Sequence, residues 1–319
     1  MTDTDTGTFD RDTRYISDRI TTDVPPGSAP VGAKVGEMTW PVEAGRYHLA
    51  GARACPWAHR AIIARALMGL DDVISLGLAG PTHDEHSWTF DLDPGGKDPV
   101  LGIERLQEAY FNRVPDYPLG ITVPAMVDIP TVAVVTNDFD QLSIDLATQW
   151  GAFANEDAPE LYADAQRDEI EAINARVYPD LNNGVYQAGF ATSQSAYDDA
   201  YQRVFATLAW LEEHLANRRY LVGDSITLAD IRLYATLVRF DPVYHGHFKC
   251  NRQTISSMPV LSAYLRDLYQ TPGFGDTTDI DQIKEHYYVV HTNVNPTQIV
   301  PHGPELSWLM APHGREDLP

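Results

Sequence analysis

The chain has 319 residues, 44% of them hydrophobic, a formal net charge of −22 and two cysteines. That length can bury a large core and fits two domains, while so acidic a chain is a poor partner for nucleic acid or an anionic membrane. No apolar run reaches the about 20 residues a membrane helix needs, and the polar start lacks a basic-then-apolar leader, so a cytoplasmic protein with reduced thiols is expected.

Residues 1–45 hold Pro25, Pro26, Gly27, Pro30 and Gly32 without strong periodicity, and they predict an extended N-terminal arm. Residues 46–51 predict a short strand. The run Cys55-Pro56-Trp57-Ala58-His59-Arg60 follows and opens an apolar-periodic helix that ends near residue 69. Pro56 suits a first helical turn, where its missing N–H costs nothing. Residues 73–78 predict a second strand, so strand, cysteine turn, helix and strand make a βαβ unit. A thiolate at such a helix start is favoured by the backbone N–H groups and the positive end of the dipole. Cys55 is therefore the expected nucleophile. Cys250, between Lys249 and Asn251, lacks a helix-start signature and is expected to be structural. No Cys/His spacing resembles a ligand set, so no metal is expected.

Residues 79–120 form a long excursion that includes Pro94-Gly95-Gly96 and a helical stretch over 101–112. A loop-rich insertion of this length is usually functional. Residues 121–128 and 131–136 predict a hairpin with Pro124 at its entrance, and a helical segment begins over 144–150. Spacing near 3.6 then marks helices over 168–177, 195–214, 228–238 and 260–269. Thr227-Leu228-Ala229-Asp230 fits a capping-box-like start, which makes Asp230 a structural cap. The tail carries Pro296, Pro301, Pro304 and Pro312 and is expected to wrap the surface. The expected organisation is an arm over 1–45, an α/β domain over 46–150, an all-helical domain over 158–290 and a tail over 291–319.

Several motifs in order carry a resemblance. They are the Cys55–Arg60 run, Asn182-Asn183-Gly184-Val185-Tyr186, Ala229-Asp230-Ile231-Arg232-Leu233, Leu237-Val238-Arg239-Phe240-Asp241, Val243-Tyr244, His247-Phe248-Lys249-Cys250-Asn251 and His286-Tyr287-Tyr288. From about residue 40 to the C-terminus the chain resembles the glutathionyl-hydroquinone reductases, the Xi class of cysteine-type glutathione S-transferases. The resemblance implies an α/β thioredoxin-like N-terminal domain plus an all-α C-terminal domain, assembled as a homodimer. It implies reduction of S-glutathionyl-hydroquinones to hydroquinones, with glutathione or another low-molecular-weight thiol as co-substrate. Cys55 would take up the thiol as a mixed disulfide, which a second thiol resolves.

The resemblance also implies site residues. Trp88 would contact the bound thiol, and Val123 would offer it backbone N–H and C=O groups from a cis Val123-Pro124 bond. Tyr186, Tyr244 and Tyr287 would line the aromatic-substrate pocket and hydrogen-bond the hydroquinone oxygen, with Tyr288 the competitor of its neighbour. Two departures stand out. The family's arginine before the Val-Pro is absent from Leu119-Gly120-Ile121, and its Glu-Ser pair, which grips the γ-glutamyl group, is replaced by Asp138 and Phe139. A lost charge-assisted contact costs about 1.5–3 kcal/mol. A thiol without glutathione's carboxylates, such as mycothiol, would tolerate the change. Alternative readings are a thioltransferase or dehydroascorbate reductase, and a non-catalytic dimer that binds thiols or aromatics.

Overall fold

The structure is a computed structural model and describes residues 7–319. Its contacts divide the chain into two compact units. One comprises residues 13–161 with 276–282, and the other the segment up to Asp12 with residues 162–275 and 283–319.

The first unit is built on a four-stranded mixed sheet. Strands β1 (Arg19–Thr21) and β2 (Thr39–Pro41) precede it as a small parallel pair of their own. The sheet contains β3 (Tyr47–Gly51) and β4 (Ser75–Leu78), then, after the short hairpin β5 (His83–Asp84) and β6 (Ser87–Trp88), β7 (Ala125–Asp128) and β8 (Ala133–Thr136). The order is β4-β3-β7-β8, with β3 parallel to β4 and antiparallel to β7. Every residue of β3 is buried, as a strand covered on both faces must be. Helices α1 (Pro56–Leu67) and α3 (Phe139–Gln149) pack on each other, and α2 (Leu106–Arg113) packs on β8. The thioredoxin-like expectation holds, and the predicted strands and first helix stand within a few residues of their observed ends.

Residues 13–45, part of the segment predicted as an arm, belong to the first unit. Residues 13–45 close the β8 edge of the sheet, where Thr136 Oγ1 and Asn137 N–H both donate to Ile16 O. An uncovered edge would leave those groups unpaired. Buried Asp18 gathers the segment by accepting from Gly36 N, Met38 N and Trp40 Nε1, and it pairs with Arg113. Arg19 clamps β1 onto α3 through Asp145. The excursion over 79–120 is also anchored. His48 on β3 holds Ser75 Oγ at 2.7 Å and Asp98 Oδ2 at 3.0 Å, with His48 and Asp98 fully buried. Gly77 passes so close that a Cβ there would lie 2.3 Å from both Asp98 Oδ2 and His48 Nε2.

The second unit is helical. It contains α4 (Arg167–Val177), α5 (Gly184–Gly189), α6 (Gln194–His214), α7 (Leu228–Arg239), α8 (Pro259–Gln270) and most of α9 (Ile280–Val290). Ser193 caps α6 through Ala196 N, and Pro259 starts α8. Two π-helical turns, Tyr178–Asn182 and Phe240–Tyr244, follow α4 and α7. The tail over 291–319 belongs to this unit, with Arg315 donating to the carbonyls of Leu215 and Arg219. Gly303-Pro304 in the tail is cis. No helix among the described residues is long and apolar enough to cross a membrane.

Asp230 is the cap the sequence predicts. It is fully buried and accepts from Thr227 N, Leu221 N and the Tyr264 hydroxyl at 2.7–2.9 Å. Replacing it removes the acceptor of these donors and of Thr227 Oγ1, so Asp230→Ala should cost about 3 kcal/mol. Urea unfolding should show a lower midpoint at an unchanged slope. A midpoint equal to wild type would contradict the assigned role.

Candidate active site

Cys55 is the N-cap residue of α1, in extended conformation (φ −80°, ψ 119°), directly before Pro56. The β3–β4 crossover places it there, since β3 ends at Gly51 and the chain must turn into α1. Cys55 is 9% exposed, and its thiol donates to Val123 O at 3.5 Å. Val123 precedes β7, whose Ala125 pairs with Ala50 on β3. The Val123-Pro124 peptide is cis, as the resemblance implied. Thr122 is fixed behind it, with its carbonyl accepting from Tyr110 OH and its hydroxyl from Asn137 Nδ2, both at 2.8 Å.

The N-terminus of α3 stands beside α1. Asp138 is its N-cap, with one carboxylate oxygen accepting from Gln141 N at 3.3 Å and the other from Ser17 Oγ at 3.1 Å. Phe139 opens the helix and is buried. Its ring lies 4.8 Å from Trp57 and 5.8 Å from Tyr15. Arg60, one turn into α1, is buried beneath this group, its guanidinium 4.7 Å from the Trp57 ring and 5.5 Å from Phe139. Asp140 lies 3.9 Å from Arg60 Nη1. Arg60 was part of the quoted motif, yet its position under two aromatic rings was not foreseeable from spacing. His59 is held by Thr277 Oγ1 at 2.9 Å, which ties the 276–282 segment to α1.

Trp88 sits in the β5–β6 hairpin, buried, with its ring edge-on to His83 at 4.8 Å. Ser87 beside it has φ +81° and donates its hydroxyl to Ile121 O. The contact described for Trp88 is thus within its own excursion.

In the helical unit three tyrosines meet. Tyr186 comes from α5, Tyr244 from the π turn after α7, and Tyr287 from α9. Tyr287 is the hub, with its hydroxyl 2.5 Å from Tyr186 OH and 3.0 Å from Tyr244 OH. Tyr288 points elsewhere and donates to Pro242 O, so Tyr287 is the member of the cluster. Burial pushes the Tyr244 and Tyr287 hydroxyls well above their usual range, Tyr186 adds to this, and Arg239 at the end of α7 opposes it. Both phenols therefore stay protonated at neutral pH and can donate. Phe248 stacks on Tyr244, and it fits because Gly189 has no side chain: a Cβ there would lie 2.2 Å from the ring. His247 and His291, 3.2 Å apart, border Tyr287.

The motif around Asn182 now has a physical content. Asn182 Nδ2 donates to Thr236 Oγ1 at 2.7 Å and pins the first π turn to α7. Asn183 accepts from Arg11 Nε at 3.0 Å. The sequence reading missed Phe9 and Arg11, which pack on Tyr186. They lie in a segment without periodicity, so no pattern could mark them. Cys250 is fully buried and its thiol is pushed up to about 12, chiefly by burial, which makes it inert. Among the described residues no three His, Cys, Asp or Glu side chains gather as metal ligands.

The N-terminal domain model of the glutathione S-transferases matches residues 54–149, and the C-terminal domain model matches residues 194–267. The glutathionyl-hydroquinone reductase YqjG of Escherichia coli strain K12 is 41% identical over 97% of this chain and 93% of its own. Its glutathione-bound structure superposes with a TM-score of 0.85 over 98% of both chains. A glutathione transferase from Gordonia bronchialis is 59% identical, with a TM-score of 0.90 over 95% of this chain and 91% of that one. A Xi-class transferase from Natrialba magadii is 39% identical, with a TM-score of 0.87 over 96% and 90%. With its thiol at the start of α1 and its phenols gathered in the helical unit, the chain belongs to the glutathionyl-hydroquinone reductases, the Xi class of the glutathione S-transferase family.

Proposed function

We propose that this protein is a thiol-dependent reductase of S-conjugated hydroquinones, with Cys55 as its nucleophile. The observation that carries the reading is the placement of Cys55 at the N-cap of α1, its sulfur against the Val123 carbonyl. In the other unit, the three linked hydroxyls of Tyr186, Tyr287 and Tyr244 supply phenol donors. Plain thiol–disulfide exchange needs no such donors, which favours the hydroquinone reading over a thioltransferase. The YqjG relative, by its name, reduces glutathionyl-hydroquinones, and it binds glutathione in its solved form.

The steps balance as follows. The conjugated hydroquinone shifts to its keto form, with the phenolic proton lost and the sulfur-bearing ring carbon protonated. The Cys55 thiolate attacks the sulfur of the conjugate. The C–S bond breaks, its electron pair moves through the ring to the oxygen, and a Cys55 mixed disulfide forms. By the family resemblance a tyrosine hydroxyl would donate to the oxygen as charge gathers there, the kind of stabilisation that grows along the reaction. A second thiolate attacks the mixed disulfide and frees Cys55. The net result is one hydroquinone released and two thiols joined as a disulfide.

The choice of thiol follows from Asp138 and Phe139. Asp138 already places a carboxylate at the start of α3, and the Phe139 ring packs on Trp57. Neither side chain can donate to a ligand carboxylate, whereas Asp138 can accept from an amine or hydroxyl. We infer a thiol without glutathione's carboxylates, such as mycothiol, with glutathione as a weaker substitute. The family likeness also supports a cytoplasmic homodimer.

Three outcomes test this reading. Cys55→Ser should lower conjugate cleavage by about a thousandfold or more, and mass spectrometry should find the thiol adduct on wild type and not on the variant. Cleavage that survives Cys55→Ala would refute the mechanism. Tyr287→Phe removes the hub hydroxyl and should lower kcat by about a hundredfold, the scale of a lost oxyanion donor. Turnover assays with both thiols should favour mycothiol, and Phe139→Ser should improve glutathione use by about tenfold. Efficient glutathione use by wild type with no response to mycothiol would remove the thiol assignment.

A further inference from the structure

The segment just before residue 13 is part of the helical unit. Thr192 N donates to Gly7 O at 3.0 Å, and Gly7 has φ +70°. A Cβ on Gly7 would lie 2.7 Å from Ser193 Oγ, so the close approach requires glycine. From this anchor the chain lays Phe9 on Phe190 at 5.2 Å and on Tyr186 at 6.5 Å. Arg11 then reaches the Tyr186 ring, with its guanidinium carbon 4.7 Å from the ring centroid. Its Nε donates to Asn183 Oδ1 at 3.0 Å, from the turn that leads into α5. The guanidinium thus lies on the Tyr186 ring and near the Phe9 ring, while its Nε holds an amide oxygen.

We propose that Arg11 is a positioning residue that polarises the Tyr186 phenol and so sets the strength of its hydrogen bond to the hydroquinone oxygen. This rests on the proposed reductase reading for its effect on turnover. The physics is independent of it. A cation over an aromatic face interacts more strongly as the ring gains electron density. The phenol of Tyr186 gains such density when its proton shifts toward an acceptor, so Arg11 favours the donating form of the hydroxyl. Arginine suits the place because its planar fork can lie on the ring and hold Asn183 together. Among the titratable and charged groups around Tyr186 are Arg11 from the N-terminal segment, Tyr244 after α7 and Tyr287 on α9. Arg239 acts on the latter two, and His247 and His291 border Tyr287.

Arg11→Leu should lower kcat for a glutathionyl-hydroquinone by about tenfold, with KM changed by less than about twofold. Arg11→Lys should recover about a third of the lost rate. In a Tyr186→Phe background, Arg11→Leu should cause no further loss, because its effect runs through the missing hydroxyl. Resolution of a preformed Cys55 mixed disulfide by free thiol should be unchanged in all variants. Additive losses, a change in KM alone, or no rescue by lysine would overturn the assignment. A second measurement needs no turnover. The phenolate absorbance that disappears on Tyr186→Phe should develop at higher pH when Arg11 is leucine. An unshifted titration in a variant that melts at the wild-type temperature overturns the proposal, even if wild type proves unable to cleave conjugates. Inactive wild type with a shifted titration would instead sink the reductase reading and leave the role of Arg11 intact.

Discussion

The pairing of β3 with β7 is the constraint on which the thiol site depends. Ala50 lies opposite Ala125 in an antiparallel register. The C-terminal end of one strand therefore adjoins the N-terminal start of the other. Cys55 follows the first and Val123 precedes the second, so the register itself brings the sulfur to the carbonyl. A slip by one residue would turn every β3 side chain to the opposite face. With both faces of β3 buried, close packing on each side resists that slip. Tyr47 and His48 add specific locks. The Tyr47 hydroxyl donates to Pro41 O, and His48 binds Ser75 and Asp98.

Most regular elements of both units were legible because their patterns are local. The cysteine turn, α1, α6 and α7 carry period, caps and proline placement within their own residues. The misses have a common cause. Strands β1 and β2 have three residues each, too short for any period to show. Helix α3 begins at Phe139, ahead of the predicted segment, because its start is set by the Asp138 cap rather than by apolar spacing. Helix α5 is six residues long and follows a π turn, and neither feature has a sequence period. The predicted tyrosines do form one cluster, but α9 was marked only by the run that contains Tyr287. Phe9, Arg11 and Arg60 owe their positions to tertiary contacts, which one sequence without a structure does not encode in any local window.

The two cysteines show how environment divides one chemistry. Cys250 follows a π turn in the helical core, and burial holds its thiol in the neutral form. Cys55 is nearly as buried but stands at the N-cap of α1, with its thiol donating to Val123 O. The tyrosine cluster follows the same logic from the other side. Burial keeps Tyr244 and Tyr287 as phenols, and a phenol chain can donate where an ionised group would repel. The π turn at Phe240–Tyr244 matters here, since a regular helix would rotate Tyr244 away from Tyr287.

The proposed thiol preference has the same electrostatic origin. A helix N-terminus is an anion site by default. At α3 that site is filled from within the chain, by the Asp138 carboxylate on Gln141 N. The nearby cation, Arg60, is buried under Trp57 and Phe139 and faces Asp140. A ligand carboxylate would meet one fixed negative charge, a second across Arg60, and an aromatic ring. An amine or sugar hydroxyl would meet an acceptor in the same place. Cys55 itself is placed by α1, with its thiol against Val123 O. On the proposed reading, changes at the start of α3 would shift the choice of small thiol.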